Sequence, residues 1–479
     1  VKNTKGFIFI TVAVFATILF FKYQFQNFAS PSQKATTVDA KSEIKKNERN
    51  IATLDELELI KKINSAIWNL RSKSDVQDYL QKLRKISEEN PTFYIVQTYD
   101  ALLFPLIRLE GILWRMRKIV NTCQVCHLQF VGLIKNAYYR DYMSGPHLKA
   151  LMDYIAEPTT KYPQFNNFDE VQNAIQNVII PDLEFSLEKL KTVAEEIAKG
   201  DFFELDGYIL SGYDEGNNRP FLSEKNRYKI VTQGNIKLAI SVVENALGTL
   251  YFFINYSLNE LPEFLNELIK DTGINNLFGS TPEVSTPKEF VKVIEDYRNL
   301  GKSRFQQKTV QDNLDKSLNY YLSSIETRIK GMKYSKEQAD MARNDDYLLT
   351  PKYIDFEYED ILETLELRRE IFNSSKNNKI SLVTIDVSGK QVKVFPKALF
   401  TSRSNLQQFL PKGFTSTKRS KVVSKFEAWD YYYGRPNSWK DPTFGGLLPE
   451  ATNENLYSII KELKSMKATV PLTWLLPLP

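Results

Sequence analysis

The chain is poor in the residues that most often carry chemistry: its 479 residues include two cysteines and two histidines. Two cysteines cannot build a disulfide scaffold, so a hydrophobic core has to carry the stability. Two histidines leave little room for histidine-based acid–base catalysis. Glycine and proline are also few, 19 and 20 residues, which excludes collagen-like or low-complexity character. Gly445-Gly446 is not followed by Lys-Ser or Lys-Thr, so the chain has no glycine-rich phosphate loop, and it has no nucleophile elbow. A net charge of +5, from 63 basic against 58 acidic residues, is too balanced for a dedicated nucleic-acid binder. No repeat recurs at a fixed period, which excludes a tetratricopeptide-like solenoid.

What is present is a core-forming composition, 42% hydrophobic and 13% aromatic, in a chain long enough for two or three domains. Gly6 to Phe21 is uncharged and flanked by Lys2, Lys5 and Lys22. As a helix it spans about 24 Å, and Tyr23, Phe25 and Phe28 extend it into a membrane interface. The expectation is a signal anchor over residues 1–29 holding the chain to an inner membrane through residues 6–21. The alternative is a cleaved signal peptide, although Asn27 or Phe28 at the −3 position matches poorly. Both readings export the remainder, to the periplasm if the cell is Gram-negative.

The expected fold class is mostly α, a helical bundle with a small C-terminal α+β region. Residues 30–52 read as a polar tether and 53–374 as helical. Thr53 with Glu56 reads as a capping box, and Ser74 as the cap of a second helix. A very apolar third helix is expected from about Phe93, kinked at Pro105, to Tyr142, with Gly145-Pro146 ending it. Further helices are expected at 181–199, 230–257, 287–300, 306–333 and 357–373, with loops at 203–220 and 272–285. From 375 to 479 the chain turns α+β. Ile380–Val387 and Gln391–Phe395 form a hairpin through Ser388-Gly389, and a short helix spans about 453–467. The segment at 441–449 reads as a turn that packs Phe444.

One motif carries chemistry. All four Cys and His residues lie between 123 and 147, and Cys123-Gln124-Val125-Cys126-His127 is a C-x-x-C-H sequence, the attachment signature of c-type haem. Two thiols one helical turn apart can form thioethers to the two vinyl groups of a porphyrin, and the adjacent His can then ligate the iron. Other readings of the same residues stay open. Cys123 and Cys126 can close a local disulfide. Zinc held by Cys123, Cys126, His127 and His147 has suitable ligand types, but adjacent residues on a helix point about 100° apart. A thioredoxin-like site would need a βαβ context, and none is visible.

The extended pattern Cys123-x-x-Cys126-His127-x-x-Phe130 in an amphipathic helix resembles the cytochrome c′ class, over about eight residues. The resemblance implies haem c bound by Cys123 and Cys126, iron ligated by His127, and a five-coordinate iron. The protein would then be a monohaem carrier for electron transfer or small-ligand sensing, served by a redox partner protein, rather than an enzyme. His147 is the other candidate axial ligand. If 127–143 is continuous helix, a rise of about 24 Å separates it from the iron. Met116, Met143 and Met152 fail for the same reason.

Between Val387 and Phe426 there is no acidic residue and there are nine basic ones: Lys390, Lys393, Lys397, Arg403, Lys412, Lys418, Arg419, Lys421 and Lys425. One reading is an anionic partner at 390–425. The plainer one is a solvated or internally neutralised face. The alternative function is accordingly a non-enzymatic cell-envelope interaction protein whose CxxC is a disulfide or a free thiol pair.

Overall fold

The apolar stripes of the sequence become helices that pack side by side. In this computed structural model, which describes residues 54–122, 146–197, 202–206, 213–214, 219–220, 228–264, 266, 295–342, 358–384, 391–409, 411–415, 435–456 and 458–459, helices account for 70% of the described residues. The fold is mostly α, as expected. The N-terminal apolar run, the tether and the C-x-x-C-H motif lie outside the described residues.

Ten helices run among the described residues: α1 Leu54–Trp68, α2 Lys73–Glu89, α3 Tyr94–Leu103, α4 Ile112–Thr122, α5 Pro146–Ala156, α6 Phe168–Ala174, α7 Ile180–Glu196, α8 Gln233–Phe253, α9 Gln307–Ala342 and α10 Tyr358–Lys376. Helix α2 starts two residues earlier than expected. Ser72, not Ser74, is the cap, because Asp75 returns the bond: Ser72 Oγ accepts from the Asp75 N–H at 3.2 Å and Asp75 Oδ2 accepts from the Ser72 N–H at 2.9 Å.

The apolar run after Phe93 is not one helix. Pro105 has no amide hydrogen to continue α3 and instead opens a 3₁₀ segment, Phe104–Leu109. Gly111 then turns the chain at φ +61°, a left-handed conformation, and a Cβ there would meet Thr159 Cγ2 at 2.7 Å. Only after this second break does α4 begin. Residues 203–220, expected to be loop, include strand β1, Phe202–Asp206, and the short pair β2, Tyr213–Asp214, and β3, Arg219–Pro220. β1 pairs antiparallel with β4, Tyr228–Thr232, whose last residue forms a capping box at the start of α8.

Two hydrophobic cores result. The first gathers the inner faces of α1 through α8, with Leu83, Leu113, Leu190 and Leu247 among its deepest side chains. Among the described helices, α8 is long and apolar enough to cross a bilayer, but it is largely buried in this core. The second core takes Val310, Leu314, Leu318, Leu322, Ile325 and Ile329 from α9 and Leu365, Ile371 and Phe372 from α10. Strand β6, Gln391–Val394, adds Val392 and Val394, paired antiparallel to β5, Ser381–Thr384, as the expected hairpin.

The cores meet where α8 lies antiparallel against α9. Glycines set this close approach: a Cβ at Gly331 would fall 2.9 Å from the Gly234 carbonyl, and one at Gly248 would fall 3.2 Å from the Ser317 carbonyl. Ser317 Oγ in turn donates to the Gly248 carbonyl at 2.5 Å. Beyond the seam, Arg304 donates to Asp169 Oδ1, Asn173 Oδ1 and the Ile254 carbonyl, joining α6 to the end of α8.

In the C-terminal region Asp441 accepts from the N–H groups of Thr443 and Gly445, and the turn drives Phe444 to 0% exposure. Arg403 lies across Gly445, donating to its carbonyl and to that of Ala398. β7, Pro411–Thr415, pairs with β8, Arg435–Trp439, through a bulged antiparallel ladder.

Candidate functional site

Cys123, Cys126 and His127 lie outside the described residues, so their frame is what the structure supplies. The motif leaves the end of α4, and the chain returns at the start of α5. The Gly111 N–H, just ahead of α4, donates to the carbonyl of Tyr154, near the end of α5, at 2.9 Å, which joins the two helices there.

Helix α4 buries Leu113, Met116, Ile119 and Val120 against the first core and ends with Thr122 Oγ1 donating to the Ile119 carbonyl at 2.6 Å. Asn266 donates to the Thr122 carbonyl, covering one of the open acceptors at this helix end. His147, the second residue of α5, is 0% exposed, and its ring packs against the Trp68 indole at 5.0 Å and 39°. His147 is thus a buried ring held against Trp68, 20 residues along the chain from His127. Met116 is buried in the core, Met152 lies half-buried on α5, and Met143 lies outside the described residues.

Among the described residues no group of three or more His, Cys, Asp or Glu side chains is placed to hold a metal ion. A small cavity of about 100 Å³ lies in the C-terminal region between Lys393, Leu448, Glu450 and Ile459. It is far below the several hundred Å³, roughly, that a haem needs. The basic stretch is partly absorbed by the fold. Lys393 pairs with Glu450, Lys397 donates to Asn378 Oδ1 at 2.8 Å, and Arg403 is packed under Phe409, whereas Lys412 is exposed. The other five basic residues lie outside the described residues.

The buried polar groups are features the sequence reading missed. Asp100 of α3, 2% exposed, accepts from Arg84 Nη1 at 2.9 Å and from Lys189, which also donates to Ser87 Oγ at 2.6 Å. Spacing could have flagged Lys189, which stands three residues after buried Ser186 and four before buried Val193 on an apolar stripe. A second cluster joins α7, α8 and α9. The Tyr251 and Tyr320 hydroxyls both donate to Glu184 Oε1, at 2.8 and 3.0 Å. Burial, and then the Glu184 charge, push both phenols above their ordinary range. Comparison with known proteins finds no matching family model, no matching curated protein and no matching solved structure.

Proposed function

We propose that this is an exported, membrane-tethered helical protein carrying one covalently attached haem, used for electron transfer or for sensing a small ligand. One observation carries the reading. Both cysteines and one of the two histidines stand in C-x-x-C-H order, Cys123-x-x-Cys126-His127, on the segment joining α4 to α5, and the other histidine, His147, follows it in α5. The donor set fits haem c: two thiols for the vinyl groups at Cys123 and Cys126, and the His127 imidazole for the iron. A bound haem would supply a one-electron couple or a site for a diatomic ligand. The protein's part is to hold it, exclude water and set the axial field. A five-coordinate iron with His127 as its protein ligand is what the resemblance to the cytochrome c′ class implies.

A second reading, an envelope interaction protein with Cys123 and Cys126 as a disulfide or thiol pair, draws on the solid packing of α4. Its inner-face residues Leu113, Met116, Ile119 and Val120 are all buried in the first core. Intact-mass measurement after acid–acetone extraction separates the two. The haem reading expects the chain plus one haem, falling to incomplete or absent attachment in Cys126→Ser. A chain that retains only its own mass after export alongside the attachment machinery supports the second reading.

A further inference from the structure

The α8/α9 seam joins the two cores, and it holds a carboxyl group that no packing requirement explains. Glu244 of α8 is 1% exposed. Its Oε1 is bonded to Ser323 Oγ of α9 at 2.6 Å, and its Oε2 is buried with no hydrogen-bond partner. The groups facing it are Lys191 from α7 and Tyr320, Glu326 and Thr327 from α9. Ionised, Glu244 would be a buried anion with the hydroxyls of Ser323 and Thr327 and the charge of Lys191 in its favour and a repelling neighbour in Glu326. Neutral, it needs less. Oε1 can carry the proton and donate to Ser323 Oγ, because a hydroxyl serves as either donor or acceptor.

We propose that Glu244 is a proton-operated latch on this seam: the neutral acid keeps α8 and α9 closed, and ionisation weakens the hold between the two cores. The geometry is supported by burial, which raises the affinity of this carboxyl for its proton above the ordinary glutamate range. The folded state then binds the proton more tightly than the unfolded chain. The stabilisation is complete below the unfolded value, about 4.3, and is lost as pH rises through the higher folded value.

The test is the pH dependence of urea unfolding for the full-length chain and for Glu244→Gln. One linked proton makes the wild-type folding constant fall, relative to the variant, by up to about tenfold per pH unit across that window. Parallel profiles would overturn the proposal. Ser323→Ala removes the donor to the anion and should move the window to higher pH, and an unmoved window counts against the latch. Should Glu244→Gln fail to fold, carbon-detected NMR titration of glutamate carboxyls in the wild-type chain decides: a Glu244 midpoint in the ordinary range overturns it, and one raised above that range upholds it.

Discussion

Replacing Asp100 with alanine tests how the first core is held together. The carboxylate is 2% exposed and sits between Arg84 of α2 and Lys189 of α7, so it ties three helices at one point. Removing one partner of a buried ion pair typically costs about 3–5 kcal/mol, because the remaining charge is left desolvated. Here relief is available. The Arg84 and Lys189 side chains keep 27% and 20% exposure, and Arg84 has a second carboxylate in Glu88 at 2.9 Å. The guanidinium is nonetheless pinned between the rings of Phe104 and Phe185, at 4.8 and 4.7 Å, which limits its turn toward solvent. The net expectation is about 2–4 kcal/mol of lost stability, with Asp100→Asn losing less because it preserves the shape. Urea unfolding with an unchanged m-value measures it. A double-mutant cycle with Arg84→Met should return a coupling of at least about 1 kcal/mol. A loss under ~1 kcal/mol would refute the claim that this buried cluster organises α2, α3 and α7.

Two further predictions concern the frame of the motif. Gly111→Ala places a Cβ at φ +61° within 2.7 Å of Thr159, so left-handed strain and steric crowding together should cost about 2–4 kcal/mol; equal stability by thermal unfolding would show that the turn relaxes freely. His147→Leu should lower stability by about 1–3 kcal/mol, through its loss from a fully buried site, yet leave the absorption spectrum of attached haem unchanged; a change of iron spin state would identify His147 as a ligand.

Much of the helical frame is legible along the chain. The stripe Val76, Tyr79, Leu80, Leu83 is the buried face of α2, and the apolar run of α8 is a core helix. The hairpin at 381–394 follows from its β-branched residues, and the 441–449 turn does bury Phe444. Departures from the sequence reading have local causes that periodicity does not register. Gly111 breaks a stretch whose apolar spacing is otherwise helical with a positive φ, and the side chain that also bars a Cβ there, Thr159, lies 48 residues later. β1 reads as loop because its partner, β4, is remote in sequence and pairs with it only in the fold. The Asp100–Lys189 contact spans 89 positions, and no short-range pattern marks it. The candidate site divides the same way. Its proposed chemistry is written in five consecutive residues, whereas the Gly111–Tyr154 bond that joins α4 to α5 and the Trp68–His147 contact are products of tertiary packing.

The central claim is the covalent haem. The most direct measurement is haem staining of the full-length chain on a denaturing gel, with a pyridine haemochrome spectrum, after expression in a host that attaches c-type haem to exported proteins. The account predicts a stained band at the mass of the chain and a c-type haemochrome, both lost when Cys123 and Cys126 are replaced by serine. An exported, folded chain with no stain and no haemochrome would contradict it.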